Sequence, residues 1–177
     1  MITIWFEPHA TTIDNEADVA SGWNDVDLSD LGKKQAQELV GRSKERKLDA
    51  IFCSDSQRAV KTAVPSSNEL HIPIYADERL RECDYGDLTL RPKDEVSAQK
   101  IQRITEPFPN GESYEQVADR MKTFLDWLKQ NFDGRTVLII GHRATHYGLD
   151  HWIAGKPLKE CVTENFTWQP GWKYELK

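Results

Sequence analysis

"TVLIIGH", residues 136–142, is a near-continuous apolar run that stops abruptly at Gly141 and His142. A half-exposed strand alternates apolar with polar residues, whereas a run that is apolar on both faces belongs in the middle of a parallel sheet covered on both sides. The end of such a strand is informative. In open α/β sheets ligands bind outside the carboxyl ends of the strands, so a histidine at that end is a candidate ligand contact.

Working outward, the same pattern recurs. "ITIWF" (2–6) reads as a buried strand, and Glu7, Pro8 and His9 follow it. "DAIFCS" (49–54) reads as a second strand, followed by a helix that carries Arg58, Val60 and Ala63 and that Pro65 is expected to stop. "IPIYADERL" (72–80) reads as a third, shorter strand. Ser29 is a candidate N-cap for a helix from about Asp30 to Lys47, with Leu31, Ala36, Leu39 and Val40 inward. Ser113 and Gln116 make a capping box, and Val117, Met121, Phe124, Leu125, Leu128 and Phe132 follow at helical spacing. "THYGLDHWIAG" returns to a helical pattern, and "NFTWQPGWKYEL" is expected to supply one or two edge strands with a turn at Pro170-Gly171. Strands alternating with helices predict βα units and a three-layer α/β/α sandwich around a mostly parallel sheet. Between residues 81 and 110 the pattern loosens, with Pro92, Pro107 and Pro109 interrupting one charged helical stretch around Asp94 to Ile104. This segment reads as an irregular excursion over one face of the sheet, where substrate specificity is expected to lie.

The bulk properties set bounds on function. A chain of 177 residues fits one domain, read here as 1–177, and the apolar fraction of 38% supports a packed core. Net charge is −6 with the basic residues dispersed, which argues against nucleic acid or a membrane surface as partner. Cys53, Cys83 and Cys161 are widely spaced and form no CxxC, as free thiols in a reducing compartment would be. The first residues lack the basic start and long apolar stretch of a signal peptide, so a cytoplasmic location is expected.

His9, Arg58 and His142 fall at equivalent places, each just past a strand. Two imidazoles and a guanidinium around one point suit a phosphate. At this level the chain resembles the histidine phosphatase superfamily, the phosphoglycerate-mutase-like family. The resemblance runs through "PHATTIDN", "SGWNDVDLSDLGKKQA", "IFCSDSQRAVKTA", "RLRECDYGDL", "PNGESYEQVADR" and "VLIIGHRAT", in that order. By position it implies that His9 is the nucleophile, that Arg58 and His142 clamp the phosphate, and that Glu82 is the proton donor, with Asp84 as the second choice. Asn15, Ser21 and Gly22 fall on the family's substrate- and phosphate-contacting loop. The implied activity is metal-independent hydrolysis of a small phosphorylated substrate, with no cofactor.

The sequence departs from the family at the nucleophile. The family signature there is Arg-His-Gly, and this chain has Pro8-His9-Ala10, so one guanidinium expected in the phosphate pocket is missing. Arg143, where the family has a small residue, is the candidate replacement, with solvent or a partner such as Glu112 as the alternative. Three other readings stay open. Loss of the arginine could leave a phosphate-ester binding module with little turnover. A phosphoglycerate-type mutase is a further alternative, disfavoured by the short 81–110 segment that would have to shield a phosphoenzyme from water. His142 and His146, four apart, have the spacing of two zinc ligands on one helix, but no third ligand is evident nearby.

Overall fold

The computed structural model describes all residues, 1–177. In chain order the elements are β1 (Ile2–Pro8), α1 (Ile13–Glu16), α2 (Asp30–Glu45), β2 (Ala50–Cys53), α3 (Gln57–Leu70), β3 (Ile74–Ala76), α4 (Lys93–Gln99), α5 (Tyr114–Asn131), β4 (Thr136–Gly141), α6 (Arg143–Trp152), α7 (Leu158–Thr163) and β5 (Trp172–Leu176). The sheet runs β3-β2-β4-β1-β5. Its first four strands are parallel, and β5 closes one edge antiparallel to β1. The expected mostly parallel sandwich is therefore present.

Side-chain alternation along the central strand β4 builds the layers. Val137 and Ile139 pack with Val117, Met121, Phe124 and Leu128 of α5 and with Ala144 and Leu149 of α6. Leu138 and Ile140 pack on the other face with Leu39 of α2 and with Ala59 and Ala63 of α3. An apolar run on both faces is what helices on both sides require. The capping box expected at Ser113 is formed: its Oγ accepts from the Gln116 backbone N–H at 3.2 Å, and the Gln116 side chain accepts from the Ser113 N–H at 2.8 Å.

Three local expectations are corrected. Pro65 does not stop α3, which continues to Leu70. A proline inside a helix costs roughly 3 kcal/mol, offset here by burial of Arg58, Ala59, Thr62, Ala63 and Ser66 along one face. Leu31 faces solvent, because the inward row of α2 runs through Gly32, Ala36, Leu39 and Ser43. Gly32 is there for space: a Cβ would lie 1.9 Å from the Thr11 carbonyl oxygen, so the helix start presses directly on the loop that follows His9. The third strand is confined to Ile74–Ala76, and a 3₁₀ turn at Glu78–Leu80 takes up the rest of the run. No helix is long and apolar enough to cross a membrane.

Register positions the site. Pro8 lies opposite Gly141 and Cys53 opposite Ile140, so β1, β4 and β2 end side by side. The next residues, His9, His142 and Ser54, meet at one edge of the sheet.

Candidate active site

A cavity of about 640 Å³ opens at the carboxyl ends of these strands. His9, Asn15, Ser21, Gly22, Arg58, Glu82, His142 and Arg143 all line it. Residues separated by most of the chain are thus brought together.

The backbone of His9 is pinned to the neighbouring strand, its N–H donating to the Gly141 carbonyl at 2.9 Å. Its Nδ1 lies 2.8 Å from the Ala10 carbonyl oxygen. A carbonyl can only accept, so Nδ1 carries the proton and the Nε2 lone pair is left free. Although part of the ring is open to the cavity, burial, and then the charge of Arg58, lower its pKa from 6.5 to about 3. His9 is therefore a neutral imidazole with an unprotonated nitrogen.

His142 stands beside it, ring centroids 5.0 Å apart and planes inclined at 55°. Its Nε2 is 2.7 Å from the Ser54 hydroxyl, and its Nδ1 faces a guanidinium nitrogen of Arg58 at 3.5 Å, the outer limit of a hydrogen bond. The guanidinium has no acceptor, so Nδ1 holds the lone pair and Nε2 donates to Ser54. Burial first, then Arg58 and His9, hold this imidazole well below its ordinary pKa. His142 also N-caps α6, its N–H donating to the Thr145 hydroxyl at 3.0 Å.

Arg58 is 2% exposed. It donates to the carbonyls of Gly22 at 2.7 Å and Asn24 at 2.8 Å, while its Nε has no partner. Gly22 turns its carbonyl inward from a backbone at φ +49°, a conformation that favours glycine. A buried guanidinium held by neutral carbonyls, with a donor to spare, keeps its charge available to an anion.

Glu82 is held at the start of α6. Its Oε1 accepts from the backbone N–H groups of Cys83 at 2.8 Å and Ala144 at 3.2 Å, and Oε2 from that of Arg143 at 3.1 Å. Asp84 instead accepts from the Gly86 N–H at 2.9 Å and does not line the cavity. Asn15 caps the short helix α1 in a reciprocal pair with Thr12, and Ser21 donates to Asp14 at 2.9 Å. The guanidinium of Arg143 lies over the rings of Phe166 and Tyr147, 4.3 and 5.0 Å from their centroids. Glu112, its alternative partner, is taken by Arg120 at 3.0 Å. His146 turns away from His142 and stacks on Phe6.

Several residues of this site escaped sequence reasoning. Ser54 follows β2 just as His9 follows β1, so the strand-end rule applied to it equally. Thr62 fixes the loop after His9 by accepting from the Ala10 N–H at 3.0 Å. Arg120 donates to the carbonyls of Arg79, Arg81 and Glu82, tying down the segment that carries Glu82. Neither Thr62 nor Arg120 has a pattern that sets it apart from an ordinary helix residue.

Comparison with known proteins follows this geometry. The family model described as histidine phosphatase superfamily (branch 1) matches residues 4–166. The chain belongs to the histidine phosphatase superfamily. It is an enzyme of the histidine phosphatase type. It is 30% identical over 155 residues to the uncharacterized phosphatase PhoE of Bacillus subtilis, covering 88% of this chain and 79% of that one. It is also 30% identical over 157 residues to putative phosphoserine phosphatase 2 of Hydrogenobacter thermophilus, covering 84% and 77%. Among solved structures, Bacillus stearothermophilus YhfR superposes with a TM-score of 0.84 at 27% identity, over 96% of this chain and 88% of that one. The sandwich is thus that of a histidine phosphatase.

Proposed function

We propose that this histidine phosphatase hydrolyses small phosphomonoesters through a phosphohistidine on His9. The observation that carries the reading is the tautomer of His9, with Nδ1–H spent on the Ala10 carbonyl and Nε2 free in a cavity that also holds Arg58 and His142. In the first step the Nε2 lone pair attacks phosphorus in line, an N–P bond forms, and the ester P–O bond breaks. The leaving oxygen takes its proton from the Glu82 carboxyl group. In the second step water attacks the phosphohistidine, Glu82 takes the proton, and phosphate leaves His9 neutral.

Arg58, with its unpartnered donor, stabilises the charge spread over the equatorial oxygens, and the neutral ring of His142, its N–H held by Ser54, forms the wall beside it. Asn15, Ser21, Gly22 and Arg143 complete the substrate-binding surface. Phosphoserine, which the name of the Hydrogenobacter relative suggests, belongs with phosphorylated metabolites in a first substrate screen. Hydrolysis is favoured over transfer because the 81–110 segment is short for one that would have to shield a phosphoenzyme from water. The alternative reading, a binding module with little turnover, is favoured by one observation: Pro8 stands where the family has an arginine.

The test is rapid mixing with substrate, alkaline quenching and mass spectrometry. Acid-labile phosphate on His9, formed and lost at the turnover rate, is expected. Turnover with phosphate found only on another residue refutes the mechanism, and stable substrate binding without phosphate release supports the module.

A further inference from the structure

Besides Arg58, which the carbonyls of Gly22 and Asn24 hold, two cations in the cavity have no carboxylate partner. Arg42 is paired with Glu7 at 2.9 Å and Lys93 with Asp18 at 3.2 Å. By contrast, neither Arg143 nor Lys100 bonds a carboxylate: the Arg143 guanidinium reaches the Glu164 carbonyl at 3.5 Å, and the Lys100 ammonium the Tyr147 hydroxyl at 3.5 Å. Both contacts are at the outer limit of a hydrogen bond. Both side chains are half-buried, and both line the cavity that holds His9.

They also share a neighbour. The buried ring of Tyr147 has the Arg143 guanidinium over its face and the Lys100 ammonium at its hydroxyl. Burial, and then the charge of Arg143, depress the pKa of Lys100. Like charges on one buried ring repel and neither is neutralised by a carboxylate, whereas an anion between them would be bound by charge-assisted bonds from both.

We propose that Lys100 and Arg143 form a subsite for a second anionic group, so that preferred substrates are phosphomonoesters whose leaving group carries a carboxylate or another phosphate. This rests on the reading of His9 as the phosphate acceptor. The reacting phosphate already has Arg58 and His142 at the strand ends, whereas Lys100 directly follows α4 in the 81–110 excursion. A cavity of about 640 Å³ accommodates a whole small molecule rather than a phosphate alone. The fork of Arg143 and the single ammonium of Lys100 suit an oxyanion of either kind.

The test compares kcat/KM for matched pairs on the full chain. One arm sets 3-phosphoglycerate against glycerol 3-phosphate; the other sets 1,3-propanediol bisphosphate against 3-hydroxypropyl phosphate. A preference of about tenfold to a hundredfold for the doubly anionic member is expected in at least one arm, the span of a charged hydrogen bond. Which arm shows it identifies the second anion. Lys100→Met and Arg143→Met keep the aliphatic stems, and each should lower this ratio, with the double variant abolishing it. No preference in either arm overturns the proposal. So does an equal fall for both members of a pair, which would assign the two cations to the reacting phosphate instead. If no phosphomonoester is turned over, it is the hydrolase reading that fails. Calorimetric binding of the same pairs then reads the subsite, and equal affinities within both pairs overturn it.

Discussion

Replacing His9 should make the fold less sensitive to acid. In the native protein the imidazole has a pKa of about 3, against 6.5 when free of its surroundings, because burial and Arg58 disfavour its charged form. Above pH 6.5 the ring is neutral in both folded and unfolded chains and contributes nothing to their difference. Below it the unfolded chain binds a proton that the native chain refuses, so stability falls with pH at about 1.4 kcal/mol per unit until the native pKa is reached. At pH 5, 1.5 units below the ordinary value, this amounts to about 2 kcal/mol. The assay is urea unfolding of the parent and of His9→Gln at pH 7.5 and pH 5. Glutamine does not titrate, so the variant should lose about 2 kcal/mol less than the parent between the two conditions, whatever its stability at pH 7.5. His142 and the carboxylates titrate in both proteins and cancel in the comparison. Equal losses would mean that His9 protonates alike in both states, and the argument for a neutral imidazole at position 9 would fail.

Three further outcomes are expected. Glu82→Gln should lower kcat/KM by about a hundredfold or more on an alkyl phosphate but much less on p-nitrophenyl phosphate, whose leaving group needs no proton; equal losses on both would remove Glu82 from the acid role. Pro8→Arg should raise kcat/KM by roughly tenfold or more, the worth of one charge-assisted donor, and unchanged steady-state kinetics would show that the missing guanidinium is not limiting. Gly32→Ala forces a Cβ to within 1.9 Å of the Thr11 oxygen, so a destabilisation of about 1–3 kcal/mol is expected from overpacking; a thermal midpoint equal to the parent's would show that the helix and the loop after His9 separate freely.

The strands, the sandwich and the convergence of His9, Arg58 and His142 were legible because each rests on a local signal. An apolar run fixes a buried strand, and parallel order puts all its polar successors at one end. Pro65 misled because its penalty is local while the packing that offsets it, α3 against α2 and the sheet, is tertiary. Lys100, Tyr147 and Phe166 could not be read together. They come from the end of α4, from α6 and from the loop before β5, and nothing in spacing links them. Ser54 was legible by the rule that found the histidines.

Proline is compatible with position 8 for a reason visible in the register. The N–H groups of Thr3 and His9 donate to the carbonyls of Arg135, just before β4, and of Gly141 at its end, so along β1 the odd-numbered donors face β4 and the even-numbered ones face β5. The ladder with β5 ends at Phe6 and Trp172, which leaves no partner for a donor at position 8, and the proline costs no sheet hydrogen bond. The departure from the family is therefore one of charge. Burial is the leading cause of the low pKa of both imidazoles, with Arg58 second, so His9 stays neutral without a guanidinium at position 8. On the proposed mechanism, what is lost is a donor to the reacting phosphate. With that grip weakened, more of the binding energy has to come from the rest of the substrate, and the unpaired charges of Lys100 and Arg143 are placed to supply it.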